Sequence, residues 1–132
     1  MYVSKFQNIV MNDRAYSLPF KDPKTGANFD QSVNYCRNKG TGWGLMPYSL
    51  WSAIALWCRK NGTMPRGNNN YGSDHGYPHE KGTPTYYDSN KIARVATGSG
   101  PDTWSHNWMP DGIFDLNGNV WEWCAGLRLS RH

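Results

Sequence analysis

Two carboxylates lie on either side of a glycine-containing turn near the C-terminal end of the chain. Asp115 and Glu122 flank the sequence Asn117-Gly118-Asn119. Glycine allows a sharp turn, so main-chain carbonyl oxygens can point towards the two side chains. Carboxylate and carbonyl oxygens are the hard ligands that Ca²⁺ prefers, which predicts a calcium site here. The alternative is that Glu122 accepts backbone N–H bonds and holds the turn without a metal ion.

A second group of potential metal ligands lies in the middle of the chain. His75, His79 and Glu80 fall within six consecutive residues. Gly76 and Pro78 disfavour the helix that would align these side chains on one face. We therefore interpret this segment as a solvent-exposed loop and not as a metal site.

The three cysteines, Cys36, Cys58 and Cys124, are odd in number and contain no Cys-x-x-Cys spacing. This pattern argues against a zinc site and against a disulfide framework, and it predicts small buried side chains instead. The sequence also contains no Ser-His-Asp arrangement typical of hydrolases and no glycine-rich phosphate loop. The residues themselves therefore indicate no catalytic site.

Residues 63–112 show neither helical nor strand periodicity, and Gly and Pro interrupt them repeatedly. A disordered linker would not contain so many aromatic residues, so we predict an ordered coil pinned by aromatic side chains. Loops on a rigid scaffold are common positions for binding residues. The candidates for ligand contact are Asn69, Tyr71, Tyr86, Tyr87, Trp104, His106 and Trp108. For the cluster of Trp104, His106 and Trp108, the alternative is a role as internal anchors.

The elements before this coil are predicted from local signals. Strands over residues 6–11 and 14–18 surround Asn12-Asp13, whose residue types tolerate the positive φ of a tight hairpin turn. A first helix begins after Asn28, with a capping-box pattern to Gln31, and ends at Gly40.

A second helix is predicted between Pro47 and Asn61-Gly62. Its expected buried face consists of Leu50, Trp51, Ile54, Ala55, Trp57 and Cys58. A last strand is predicted over residues 120–129, with Trp121, Trp123 and Ala125 on the side that faces the core.

Two segments carry a family resemblance. Residues 115–123, Asp-Leu-Asn-Gly-Asn-Val-Trp-Glu-Trp, resemble the GNVWEW signature of the formylglycine-generating enzyme (sulfatase-modifying factor) family. Residues 44–47, Gly-Leu-Met-Pro, followed by Trp51, resemble the entry of that family's helix. The resemblance covers roughly residues 28–128. It implies an α+β, C-type lectin-like fold in which two helices pack on small twisted antiparallel sheets with long ordered coil, as one domain over residues 1–132.

The resemblance also implies ligands for the calcium ion. The equivalents of Asp115, Gly118, Val120 and Glu122 line a calcium site in the family, where Gly and Val contribute only carbonyl oxygens. The family usually has Asn at the first of these positions, so Asp115 keeps an oxygen ligand and adds a negative charge.

A closer resemblance is to members of the family found on phages and in diversity-generating retroelements, and it rests on residues 57–62, 65–72 and 97–101. It implies a non-catalytic ligand- or receptor-binding or structural module, for example at a phage tail. The implied partner is a protein or glycan receptor. The implied location is a virion or cell surface, and a homo-oligomer is a further expectation.

The sequence departs from the family pattern after Trp123. Family members continue through further strands, which in the oxidising enzymes include a copper-binding cysteine pair, whereas this chain ends nine residues after Trp123. We therefore expect a domain that lacks the C-terminal part of the family fold and has no enzymatic activity. The alternative is an oxidase of the formylglycine-generating type, or an inactive fragment of one.

Length and composition exclude other classes of protein. The chain has 132 residues, of which 38% are hydrophobic, as expected for a single globular domain. Its net charge of +4 comes from basic residues that are spread along the chain, which argues against nucleic-acid binding. No segment approaches the roughly 18 consecutive apolar residues of a membrane span.

Overall fold

A computed structural model of the chain describes residues 3–120, 122 and 124. These residues form an α+β fold with two helices and three two-stranded antiparallel sheets, which confirms the predicted coarse class. Neither of the described helices is long and apolar enough to cross a lipid bilayer. Most of the predicted last strand, with Trp121, Trp123 and Ala125, lies outside the described residues.

The N-terminal hairpin consists of strands β1 (Asn8–Met11) and β2 (Arg14–Ser17). The two turn residues Asn12 and Asp13 have φ of 52° and 57°. Both central residues of a type I′ turn need a positive φ, and its twist matches that of the paired strands. The predicted hairpin is confirmed.

Helix α1 (Phe29–Lys39) begins with the predicted capping box. The Asn28 side-chain oxygen accepts a hydrogen bond from the Gln31 N–H at 2.8 Å, and the Gln31 side chain accepts one from the Asn28 N–H at 3.0 Å. Two N–H groups at the helix start are thereby satisfied. The helix packs against β2, with Ala15 and Cys36 buried.

Helix α2 (Tyr48–Asn61) follows Pro47 and ends at Gly62, which has φ of 70°, as predicted. The prediction of a buried apolar face is only partly correct. Within the helix only Cys58 is fully buried, while Trp57 is exposed. A cavity of about 320 Å³ separates part of the inward face from the segment around Leu116, so the other apolar side chains there are only half-buried.

The prediction of irregular coil over residues 63–112 is wrong for residues 73–95, whereas residues 63–72 and 96–112 are coil and turn apart from one 3₁₀ turn. The segment contains strands β3 (Ser73–Asp74), β4 (Tyr77–Lys81), β5 (Pro84–Asp88) and β6 (Lys91–Val95), which pair as two hairpins. These strands have two to five residues, and their pairing is interrupted by register shifts. Prolines at positions 78 and 84 suggested loop, yet an edge strand tolerates proline, and both strands of a two-stranded sheet are edges.

The core lies between β6 and the segments that follow it. Val95, Trp104 and Phe114 are buried together, and Phe6 and Ile92 pack against them. Trp104 ends a single 3₁₀ turn over Asp102–Trp104. The Phe114 N–H donates to the Lys5 carbonyl at 2.8 Å, so the beginning of the described chain is joined to its last described segment.

Candidate functional site

The side chain of Asn119 binds the glycine-containing turn to the edge of β6. Its amide nitrogen donates to the Val95 carbonyl at 3.0 Å and to the Gln7 side-chain oxygen at 3.0 Å. Its amide oxygen accepts from the Val95 N–H at 2.9 Å and from the Asn68 amide at 3.1 Å. Asn119 therefore satisfies both main-chain groups of the buried Val95, as a neighbouring strand would.

Two glycines allow the main chain to approach this turn closely. A Cβ atom on Gly67 would lie 1.8 Å from the Asn117 carbonyl oxygen, and one on Gly118 would lie 2.4 Å from the Asn68 carbonyl oxygen. Gly118 also has φ of 78°. Residues 67–69 can therefore pack against residues 117–119 only because both positions lack a side chain.

Asp115 lies beneath the same turn and is only 1% exposed. One carboxylate oxygen accepts a hydrogen bond from the Gly98 N–H at 2.9 Å. The other, Oδ1, is buried and has no hydrogen-bond partner among the described residues. Burial raises the pKa of Asp115 to about 6, and the Gly98 hydrogen bond opposes part of this increase.

The side-chain amide of Gln7 occupies the centre of the predicted calcium ligands. Its nitrogen donates to the main-chain carbonyls of Asp115 at 3.3 Å and of Gly118 at 3.2 Å. Desolvation raises the pKa of Glu122, a hydrogen bond from Gln7 lowers it, and the charge of Asp115 raises it again. Because Glu122 is exposed, water offsets part of these effects.

The chemistry of these groups suits a calcium ion, with one obstacle. Asp115, Gly118 and Glu122 are brought together around Gln7, and Val120 follows the turn with intermediate exposure. The unpartnered Oδ1 of Asp115 would be satisfied by a cation or by a proton. A cation at the position of the Gln7 amide would first have to displace it. Among the described residues no group of three or more His, Cys, Asp or Glu side chains could hold a metal, so carbonyl ligands would be essential.

We expect Asp115→Asn to stabilise the protein in calcium-free buffer, and to do so only above about pH 4. The raised pKa of Asp115 means that the folded state holds this proton between about pH 4 and pH 6, while the unfolded state has lost it. The contribution of Asp115 to the free energy of unfolding therefore falls as the pH rises through this window and is constant above it. A difference of about two pKa units corresponds to about 3 kcal/mol, which the asparagine variant should retain at pH 7.

Urea unfolding of both proteins in EDTA at pH 4 and at pH 7 measures this difference. The exposed Asp88 provides the control, because Asp88→Asn should change stability by less than about 0.5 kcal/mol at either pH. An Asp115→Asn variant with the same effect at both pH values would show that the Asp115 carboxyl has no raised pKa.

Three of the candidate ligand contacts are tyrosines that lie at the surface. Tyr71 is 61% exposed in the turn before β3, and Tyr86 and Tyr87 on β5 are 47% and 58% exposed. The Lys91 ammonium lies 4.5 Å from the centre of the Tyr71 ring, and the Arg94 guanidinium lies 4.2 Å from that of Tyr86. We call these five residues, Tyr71, Tyr86, Tyr87, Lys91 and Arg94, the tyrosine face. Neither cation was singled out from the sequence.

Asn69 and Trp104 have structural positions instead. Trp104 is fully buried in the core, so it cannot contact a ligand at the surface. The Asn69 amide nitrogen donates to Asp74 and Asn117, and its oxygen accepts from the main-chain N–H of His75 and contacts the His75 ring. Asn69 is exposed, but its hydrogen-bonding positions are all used within the chain, so a ligand contact of Asn69 stays a prediction.

His106 and Trp108 also form internal contacts. The His106 ring accepts a hydrogen bond from the Ile113 N–H at 2.9 Å, and its carbonyl accepts one from Thr63 at 2.8 Å. The Trp108 indole N–H donates to the Met64 carbonyl at 3.1 Å. Together with Trp104 they correspond to the anchor alternative and do not form an exposed cluster.

The segment that contains His75, His79 and Glu80 forms the β3–β4 hairpin and not the predicted loop, although residues 75–79 are exposed as predicted. Glu80 is buried and forms an ion pair with Arg66 at 2.9 Å, and it also accepts a hydrogen bond from Thr103. The strand alternation buries Glu80 and leaves His79 exposed, which brings together no metal ligands.

The cysteines are poor nucleophiles. Cys36 and Cys58 are buried, as predicted, and all three thiols are free. Desolvation raises the pKa of each thiol, and the charge of Glu122 adds to this effect at Cys124. Since the thiolate is the reactive form, these positions disfavour thiol chemistry.

No protein-family model matches the chain, and the comparison with curated proteins found no match.

Proposed function

We propose that the chain is a non-catalytic module that binds a receptor through the tyrosine face. The observation that carries this proposal is the exposure of Tyr71, in the turn before β3, and of Tyr86 and Tyr87 on the β5–β6 hairpin, which hydrogen bonds and core packing hold in place. Tyrosine gives a large contact area and a hydrogen-bonding hydroxyl at a low cost in side-chain entropy. Soluble proteins use such rigid aromatic positions for recognition.

We also propose that the scaffold is the C-type lectin-like fold of the formylglycine-generating enzyme family. The observed two helices, the small antiparallel sheets and the tightly packed turn over residues 117–119 support it. The finer placement in the phage and retroelement branch, with display at a virion or cell surface, rests on the sequence resemblance. It would give the tyrosine face a receptor on another cell or particle.

The three thiols support a binding function over an oxidase function. An oxidase of the formylglycine-generating type needs a reactive cysteine pair, whereas Cys36 and Cys58 are buried with raised pKa values. The Cys58 thiol also donates a hydrogen bond to the His106 carbonyl at 3.2 Å, as a structural thiol does.

The proposal also includes a bound calcium ion with a structural role. Asp115, Gly118, Val120 and Glu122 would hold it, the two carboxylates through side-chain oxygens and the other two through carbonyls. The ion would compensate the buried charge of Asp115, whose Oδ1 has no partner among the described residues. Its contribution would be to hold the turn over residues 117–119 against β6, away from the tyrosine face.

We expect about 5 mM Ca²⁺ to raise the melting temperature relative to EDTA, because a ligand that binds only the folded state stabilises it. A hundredfold excess over Kd corresponds to about 2.7 kcal/mol. Differential scanning fluorimetry of the wild type and Glu122→Ala measures the effect, which the variant should lose. Asp88→Ala, which removes an exposed carboxylate elsewhere, should keep the response. Identical melting curves with and without Ca²⁺ would remove calcium from the proposal.

The binding function is tested with the labelled protein on a mixed glycan array and on intact bacterial and animal cells. We expect the wild type to bind at least one of these surfaces. The triple variant Tyr71→Ser, Tyr86→Ser, Tyr87→Ser should bind at least about thirtyfold more weakly, since hot-spot side chains contribute about 2 kcal/mol each.

Tyr48→Ser is the matched control, because Tyr48 is also about half exposed but lies on α2. Its binding should equal that of the wild type, and the melting temperature of the triple variant should change little because the removed side chains are exposed. Binding that the triple variant keeps, or no binding to any surface, would count against the proposed function.

A further inference from the structure

The tyrosine face contains two cations, one of which is paired with a carboxylate of the described residues and one of which is not. The guanidinium of Arg94 forms two hydrogen bonds with the Asp22 carboxylate, at 2.9 Å and 3.0 Å. Lys91 has no carboxylate within ion-pair distance among the described residues, although the exposed Asp88 is its partner in the strand register. The ammonium of Lys91 instead lies over the exposed ring of Tyr71. A positive charge is therefore held beside an accessible aromatic ring.

The rest of the β5–β6 hairpin surface is polar or aromatic. Every residue from position 85 to position 91 is exposed, and these residues are Thr85, Tyr86, Tyr87, Asp88, Ser89, Asn90 and Lys91. No aliphatic side chain occurs among them, and Val95 and Ile92 of β6 pack in the core, with Val95 fully buried. Protein interfaces are enriched in tyrosine and arginine but depleted in lysine, aspartate and serine, and this surface exposes Lys91, Asp88 and Ser89.

The same groups suit a saccharide. The C–H face of a sugar ring packs on a phenol ring, while the sugar hydroxyls exchange hydrogen bonds with hydroxyl and amide groups such as those of Tyr87, Ser89 and Asn90. The ammonium of Lys91 adds a charge-assisted hydrogen bond that only an anionic group can accept at full strength. Charge and surface chemistry together point to one class of ligand.

We propose that the tyrosine face binds an anionic glycan, a saccharide with carboxylate or sulphate groups, with Lys91 in contact with the anionic group. This inference rests on the proposed function and names its ligand class. It does not depend on calcium, because the residues that carry it do not include the candidate calcium ligands.

The test uses four immobilised probes: heparin for sulphated glycans, polygalacturonate for carboxylated glycans, dextran for neutral glycans and poly-L-glutamate for acidic chains without sugar. We expect binding to heparin, to polygalacturonate or to both, and the stronger of the two identifies the anionic group. Binding should weaken between about 0.05 M and 0.3 M salt, since exposed charges are screened over this range.

Lys91→Gln should weaken glycan binding about tenfold, because it removes one charge-assisted hydrogen bond. Lys91→Arg should restore most of it. Lys60→Gln removes the same charge from the exposed end of α2 and should stay within about twofold of the wild type. Equal losses for Lys60→Gln and Lys91→Gln would overturn the proposal, since they would show an effect of net charge alone.

The remaining outcomes separate this inference from the proposed function. Dextran binding equal to that of the anionic glycans, or poly-L-glutamate binding equal to theirs, would overturn the anionic-glycan proposal. Cell binding that depends on the three tyrosines but that neither soluble heparin nor soluble polygalacturonate reduces would also overturn it, while supporting the proposed function. Absence of binding to every probe and every cell surface would overturn both.

Discussion

Replacement of Asn119 by alanine should lower the free energy of unfolding by about 4 kcal/mol. The side chain makes four hydrogen bonds, two of them to the main chain of Val95, which is fully buried. An alanine at position 119 would leave the N–H and the carbonyl of Val95 without hydrogen-bond partners and out of reach of water. Each such buried group costs about 1–3 kcal/mol, so the loss should exceed that of an ordinary surface substitution several-fold.

Asn90→Ala is the matched control for this experiment. Asn90 and Asn119 have the same φ of 65°, but Asn90 is exposed in the β5–β6 turn. Its replacement by alanine therefore measures how much free energy of unfolding is lost when alanine instead of asparagine has a positive φ, which is about 1 kcal/mol. Urea unfolding of both variants gives the difference, which we assign to the hydrogen bonds of Asn119. Equal losses in the two variants would show that these hydrogen bonds contribute little.

Gly67→Ala should prevent stable folding, or cost at least about 4 kcal/mol. The new methyl group would lie 1.8 Å from the Asn117 carbonyl oxygen, which is a main-chain atom and cannot rotate away. Residues 67–69 would have to separate from residues 117–119, and the hydrogen bond from the Asn119 N–H to the Asn68 carbonyl would break. Overpacking together with a lost buried network is among the most destabilising of single changes.

Gly44→Ala serves as the control because a Cβ at Gly44 meets no atom within 4 Å and needs no positive φ. We expect it to be neutral or to stabilise by up to about 1 kcal/mol through the unfolded state. Soluble expression, circular dichroism and urea unfolding distinguish the two variants. A Gly67→Ala protein with the stability of the wild type would mean that the two segments do not pack as described.

The elements that were predicted correctly are specified by residues that lie close together in the sequence. Asn12-Asp13 specifies a turn because both residues tolerate positive φ, and the pair Asn28 and Gln31 satisfies the start of α1 within one turn of helix. The hairpins between Ser73 and Val95 lack such a signal because their strands are short, irregular in register and interrupted by proline. The turn of the β5–β6 hairpin, Ser89-Asn90, has the positive φ values of a hairpin turn but not the most typical sequence of such a turn.

The residues of the candidate site could be predicted only where the side chain itself and its sequence neighbours indicate a ligand. Asp115 was singled out from its charge beside a glycine turn. Gln7 had no local signal, since its amide reaches a carbonyl 111 positions away in the sequence. The aromatic residues illustrate the same limit, because composition does not distinguish the buried Trp104 from the exposed Tyr87. Only the packing of the 3₁₀ turn against Val95 and Phe114 decides that difference.

The joining of the chain's beginning to its last described segment has a consequence during synthesis. Lys5 and Gln7 find their partners at Phe114 and Gly118, which a ribosome adds more than a hundred residues later. At roughly 5–20 residues per second, the segment before β1 waits on the order of 5–20 seconds before these contacts can form. Contacts between such distant positions also slow folding in general. The nascent chain therefore passes this interval with the polar groups of Lys5 and Gln7 solvated, and these contacts form only after Gly118 has been synthesised.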